Sequence, residues 1–314
     1  MPSRLDAPAR AAAALLAAPA LLCACAAPLQ PVADFGAAAG RLAADYQPFA
    51  AGLGESCAQK QRVVAMAAAG PYDAEAAERE ADRLCAPLAH EAATAALFAQ
   101  ALSDYAGALS RLAGTPPTAF DGEVKAVSGA AAKLEDRDGS AVFDSRRLGA
   151  AAKLARTGAQ LLMAGRTARL TRAALEDNQA ALAAVVGAMK TYAEAIYAGQ
   201  LRDTAEAMQD ELARLVAASA APTQADVEAR LPWRLAQAGA RDALAANALQ
   251  QRRVRDCLRA ADALLAAHAA LIADFDRLGG ADRLAQVSEF VLRVQAIDEA
   301  VATLSTTHPP RSPR

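Results

Sequence analysis

Aromatic rings are scarce in this chain: one Trp, five Tyr and seven Phe make up 4% of its 314 residues. Histidine is scarcer, with three copies, which leaves little room for an imidazole metal site. Neither sign of charge dominates. Thirty-three basic side chains face 35 acidic ones for a net of −2, which excludes a general nucleic-acid binder with its basic excess. A 54% hydrophobic content at near-zero net charge excludes intrinsic disorder as the overall state. Long apolar runs are also missing past the N-terminus. The longest, Ala181–Met189 and Ala263–Ala273, fall far short of the roughly 20 residues a membrane span needs. What fills the chain is alanine, about 92 residues or roughly 29%, well over twice ordinary usage. Alanine is the strongest helix former and is depleted in strands, so an all-β fold is excluded.

Residues 1–24 have the layout of a secretory signal. Arg4 and Arg10 stand against Asp6, and an apolar run of about 12 residues follows from Ala11 to Leu22, too short to span a bilayer. It ends in Leu22-Cys23-Ala24-Cys25, which resembles the lipobox of bacterial lipoproteins. In that pattern a Leu stands three residues before the modified Cys and a small residue stands directly before it. Leu22 and Ala24 take those places for Cys25, whereas Cys23 follows Leu22 directly and does not fit. The resemblance implies cleavage after Ala24 and acylation of Cys25. Anchoring would then come from acyl chains, at ~0.8 kcal/mol per buried methylene. With Ala26 and Ala27, and no Asp, after that Cys, it further implies an outer-membrane address facing the periplasm. An ordinary secretory signal cut after Ala24 or Ala27 is the alternative.

From there the apolar periodicity is helical almost throughout. A first helix is expected over 32–69, with Phe35, Leu42, Tyr46, Phe49, Leu53 and Val64 on one stripe and a kink or short break at Pro48, Gly52 and Gly54. Gly70-Pro71-Tyr72-Asp73 turns the chain into a second helix ending near Ala113. Its Leu84, Leu88, Ala95, Phe98, Leu102, Tyr105, Leu109 and Leu112 alternate steps of four and three, the seam of a coiled-coil-like bundle, and Pro87 should bend it. Gly114-Thr115-Pro116-Pro117 is the clearest boundary. Beyond it come a short helix with Phe120, Val124, Val127 and Leu134, a polar break at 136–140, and a long helical stretch over 142–219 interrupted near Gly165 or Arg172. Within that stretch the stripe Leu182, Val186, Met189 and Ile196 slips by one residue across Gly199 against Leu201, Ala205, Met208, Leu212 and Leu215.

Pro222-Thr223 opens a further element with Thr223 as N-cap, and Pro232 limits its first turns. Val254, Leu258, Ala261, Leu265, His268, Ile272 and Phe275 carry the next stripe to Gly279-Gly280. A last helix from Asp282 presents Leu284, Val287, Val291, Val294, Val301 and Leu304. The expected architecture is all-α, an elongated antiparallel helical bundle with coiled-coil-like seams. Its limits are residues 25–304, with a hairpin over 32–113, the remaining helices over 118–304, and a disordered tail over 305–314.

With Cys23 removed and Cys25 acylated, Cys57, Cys85 and Cys257 remain. Cys57 and Cys85 are equidistant from Pro71, so an antiparallel hairpin places them opposite each other, and the compartment beyond a secretory signal is oxidising. A disulfide is expected there, closing a loop of about 29 residues worth about 3 kcal/mol. The alternative is two small hydrophobes in the seam. Cys257, beside Leu258 on an apolar stripe, reads as a buried free thiol.

Reactive constellations are not found. His90, His268 and His308 share no metal-ligand spacing, His268 falls on the apolar stripe, and His90-Glu91 is a lone adjacent pair on a helix face. There is no Gly-rich phosphate loop and no Gly-x-Ser-x-Gly. Carboxylate pairs such as Asp210-Glu211 read as solvated faces.

Charge patterning says more. Arg146, Arg147, Lys153, Arg156, Arg166, Arg169 and Arg172 form a run without an acidic residue, and Arg252, Arg253, Arg255 and Arg259 form a second basic cluster broken only by Asp256. Two readings stay open: pairing with acids on neighbouring helices, such as Asp73, Glu75, Glu78, Glu80 and Asp203, or a basic contact surface for anionic headgroups or an acidic protein.

These features predict a non-enzymatic, lipid-anchored envelope lipoprotein working through protein contacts as a scaffold, held to the membrane through Cys25. An envelope protein is the expected partner, with no nucleic acid, cofactor or metal. The alternatives are a bundle holding a lipid or small apolar molecule between its helices, and an immunity-type inhibitor of a toxin.

Overall fold

The computed structural model describes residues 29–68, 71–113, 124–163, 168–219, 227–278 and 285–307. Among the described residues all regular structure is helical and no strand occurs. The first hairpin pairs α1 (Gln30–Ala67) with α2 (Ala74–Leu112). Then come α3 (Val124–Glu135), α4 (Ser145–Met163), α5 (Ala168–Thr191), a π-helical turn (Tyr192–Tyr197), α6 (Ala198–Ser219) and α7 (Val227–Ala273). A 3-10 turn (Phe275–Arg277) and α8 (Ala285–Thr307) complete the chain. The bundle expected from the sequence is therefore present. Phe120, Thr223, Gly279 and Leu284 lie outside the described residues. Helix α8 runs to Thr307, three residues into the segment expected to be a tail, and 308–314 lie outside.

Local chemistry accounts for the helix starts. Pro31 occupies the first turn of α1, where its missing N–H costs no helix bond. Asp73 caps α2 by accepting from the Ala76 N–H at 3.0 Å. Pro48, Pro87 and Pro232 fall inside helices on exposed positions, where the carbonyl each leaves unbonded can turn to water. The helices accordingly continue through them, so α1 has no break at Pro48 and α7 is not limited at Pro232.

The one-residue slip seen in the sequence takes physical form in the π-turn. An i→i+5 turn inserts a residue into the register. The burial stripe of Leu182, Val186 and Met189 thereby passes through Tyr192, Ala193 and Tyr197 to Leu201, Thr204 and Met208 without leaving the core. Tyr46 of α1 donates to the Met189 carbonyl at 2.8 Å just ahead of the turn.

Sequence neighbours α1 and α2 run antiparallel, whereas α1 and the α5–α6 rod run side by side in the same direction. Tyr46 meets Met189, Ser56 meets Thr204 at 3.0 Å, and Lys60 meets Asp203 at 2.8 Å. Helix α7 returns antiparallel along the whole rod. Asp276 just beyond its end meets Arg172 at 2.8 Å, and Asn247 donates to the Leu201 carbonyl at 2.9 Å. Alanine lets these axes approach, and Gly36 goes further: a Cβ there would stand 2.6 Å from the Ala106 carbonyl of α2.

Two regions result. In the body, α1 to α5, α7 and α8 enclose Phe35, Tyr46, Phe98, Tyr105, Phe143, Tyr192 and Phe290, each at most 2% exposed. Distal to Ser56 and Thr204, α3, α4, α5 and α8 have ended, and the chain continues as an arm of two hairpins, α1/α2 and α6/α7. There α2 buries only Ala77, Ala81 and Cys85 of its first twelve residues. Val64 and Leu84, expected on the seams, are 51% and 42% exposed, because the partners that would cover them do not reach that far. The α7 stripe is also rotated from the expected one: Val254, Cys257, Leu264, His268 and Leu271 are buried, while Leu258, Leu265 and Ile272 are only half-buried. In α8 the buried face is Val287, Phe290, Val294 and Ile297.

Candidate functional site

The interior of the body holds the polar groups most suggestive of chemistry. His268, 1% exposed, packs on Phe35 with ring centroids 5.6 Å apart, and its Nε2 lies 3.0 Å from the Tyr105 hydroxyl. That hydroxyl donates to the Ala174 carbonyl at 3.3 Å, so the pair closes with a neutral imidazole carrying its proton on Nε2. Burial pushes His268 down to about 4 and the Tyr105 phenol well above its usual range. Cys257 is buried and free, and desolvation first, then Asp45 and Asp256, pushes its thiol up to about 12. It is a protonated packing residue. The cavity beside it, lined by Tyr46, Leu102, Met189 and Ala261 among others, has about 10 Å³, room for roughly one water and no organic ligand. Among the described residues no group of three His, Cys, Asp or Glu side chains is arranged to hold a metal.

His90 and Glu91 tie down the 136–144 loop. Arg137 donates to the His90 carbonyl at 3.1 Å and to Thr94 at 2.8 Å, and Ser140 donates to Glu91 at 3.0 Å. His308 lies outside the described residues.

The basic run of 146–172 does not form one surface. Arg147 binds Asp144 and the Val142 carbonyl, Lys153 reaches the Asp177 carbonyl, and Arg156 pairs with Glu135. Arg172 pairs with Glu176 and Asp276, each at 2.8 Å, and lies 5.9 Å from the Phe275 ring centre. Arg146 and Arg169 are exposed and make no ion pair among the described residues; Arg166 lies outside them. Arg146 stands at the start of α4 and Arg169 at the start of α5, so the two do not converge. In the arm, Arg62 bridges Glu55 and Glu78, Arg79 meets Glu75, and Arg83 meets Glu80. Such exposed pairs neutralise a surface more than they stabilise it.

The structure joins Cys57 and Cys85 in a disulfide, with Cα atoms 5.9 Å apart. It clasps α1 to α2 at the root of the arm, where burial of small side chains alone offers little.

No family model, curated protein or solved structure matches this chain.

What remains is where apolar surface lies open. Among the described residues Val64, Met66, Tyr72, Leu84, Val216, Trp233 and Leu235 are 42–63% exposed, and all seven belong to the arm, whereas the body exposes Leu170 and, on the face of α8 beside the start of α1, Leu292. Singly exposed apolar residues are ordinary, but a concentration of seven in one arm is not. Sequence periodicity assigned Val64 and Leu84 to the core and passed over Trp233 and Leu235. The one signal for the latter pair was a Trp in a segment with no clear stripe. Among the described residues no helix is long and apolar enough to cross a membrane.

Proposed function

We propose that this protein is a lipid-anchored envelope scaffold, tethered through Cys25 at one end and engaging a protein partner with the arm at the other. The observation that carries the reading is the placement of its two ends. Helix α1 begins five residues after Cys25 and runs for 38 residues, about 57 Å, to the hairpin tip at Tyr72. Leu29, four positions after Cys25 in the sequence, therefore lies at the end opposite the exposed apolar residues of the arm. A body with a closed core and internally paired charges supports a role in spacing and presentation rather than catalysis. The near absence of interior volume beside Cys257 counts against a ligand enclosed in the core of the body.

Photo-crosslinking residues placed at Tyr72 and Trp233 in native envelopes test this, with Lys153 on the body as the control position. A discrete adduct from the arm positions, absent from Lys153 and reduced by Cys25→Ser, is expected. Equal or absent crosslinking at all three positions contradicts the scaffold reading.

A further inference from the structure

At the anchored end a groove of about 330 Å³ runs between α1 and α8, lined by Pro31, Asp34, Val287, Val291, Leu292 and Gln295 among others. Its volume is at the lower limit of small-molecule sites. Helix α8 carries more apolar surface than the chain covers. Val287, Phe290, Val294 and Ile297 turn inward, while Val291 is half-buried and Leu292 is 65% exposed on the groove side. The exposed Leu292 beside the half-buried Val291 leaves apolar surface on α8 that a further neighbour can cover.

The position of the groove selects that neighbour. Only Ala26, Ala27 and Pro28 separate the lipidation position Cys25 from the first described residue, Leu29, which stands two positions before Pro31 of the groove itself. At roughly 3.5 Å per residue the four steps from Leu29 let the Cys25 side chain reach about 14 Å from Leu29, comparable with the roughly 12 Å that α8 spans from Val287 to Gln295. A group on so short a tether meets the groove at millimolar effective concentration. We propose that the α1/α8 groove is the resting site of a fatty-acyl chain carried on Cys25, filled when the protein is away from a bilayer and vacated when the chain enters one. The inference rests on the acylation of Cys25 in the scaffold reading. Each methylene gains by leaving water, and the groove offers Val287, Val291 and Leu292 within tether reach. A bilayer covers the whole chain and wins when present. Asp34 and Gln295 at the groove, with Asp34 held by Gln30 at 2.8 Å, keep its rim wettable once the chain leaves.

The test uses the full chain as Cys25→Ser in detergent-free buffer, titrated with palmitate, beside the same chain carrying Leu292→Glu and, as a milder change, Leu292→Ala. One equivalent is expected to bind, at least tenfold more weakly in Leu292→Glu and measurably more weakly in Leu292→Ala, at unchanged helicity and melting temperature. The native acylated protein without a bilayer should take up no palmitate, because its own chain fills the groove. Failure of Cys25→Ser to bind palmitate overturns the proposal, as does binding that Leu292→Glu leaves untouched. A dimer that Leu292→Glu dissolves would assign the groove to a second copy instead. The intact mass of the native N-terminus is read separately. An unacylated Cys25 beside groove binding of palmitate would sink the tethered occupant and the lipoprotein reading, while leaving a site for a free fatty acid.

Discussion

The body and the arm are built from the same helices and the same alanine-rich sequence, yet they differ in what holds them. In the body, α1 is surrounded, and seven rings and the Tyr105–His268 pair fill the space that alanine leaves. In the arm, α1 and α2 have each other, the α6/α7 hairpin alongside and a disulfide. Between them lies a polar layer. Ser56 and Thr204 share a hydrogen bond at 3.0 Å, Thr204 also donates to the Ser56 carbonyl, and Asn247 donates to the Leu201 carbonyl. Buried and satisfied polar groups fix register more than they add stability. The lesson is that helix formation and core formation are separable: the arm has the first in full and little of the second.

The largest test of that contrast is truncation. Phe98, fully buried against Phe143 with centroids 4.7 Å apart, should cost about 4 kcal/mol as Phe98→Ala. Leu235→Ala in the arm should cost less than about 0.5 kcal/mol. Equal losses by denaturant melts would erase the distinction. Next comes the disulfide: Cys57→Ser with Cys85→Ser should remove about 3 kcal/mol for a loop of this length, with the loss felt in the arm. Chemical shifts of the body rings should barely move.

Acid reaches the body through His268. Its folded value of about 4 lies below the ordinary 6.5, so unfolding takes up a proton between those values. The contribution is whole above about pH 6.5 and lost as pH falls towards 4, about 3 kcal/mol in all. Stability against pH should lose that part of its slope in His268→Gln, and an unchanged slope would contradict the buried neutral ring. The smallest effects compare two glycines at the junction. A Cβ on Gly52 would stand 2.8 Å from the Tyr197 hydroxyl, whereas one on Gly54 meets nothing within 4 Å. Gly52→Ala should lose about 1 kcal/mol and Gly54→Ala should gain about 0.5 kcal/mol by urea titration.

These particulars show what a sequence reveals. The hairpin of α1 and α2 was legible because its seam repeats in threes and fours, and Cys57 and Cys85 because they flank Pro71 evenly. The slip across Gly199 was visible too, although its cause, a π-turn, was not. Val64 and Leu84 misled because a helix's periodicity records which face is apolar and not where the neighbouring helix stops. The α7 stripe was misread because Cys257, Leu264 and Leu271 compete with Leu258, Leu265 and Ile272 one residue away, and only packing decides between two adjacent apolar rows. The proline positions misled because a proline facing solvent interrupts a helix far less than one facing the core. As for the site, the basic run was visible, but its pairing with Glu135, Asp144, Glu176 and Asp276 needed the fold, as did the α1/α8 groove.

Amide hydrogen exchange on the isolated native protein tests the division of body and arm most directly. Amides around Tyr46, Tyr105 and Tyr192 should exchange only through global unfolding. Those of 58–68, 74–84 and 209–219 should exchange at clearly lower free energy, with the gap widening on reduction of Cys57–Cys85. Exchange at the global limit throughout would make the arm an integral part of the body and contradict the account.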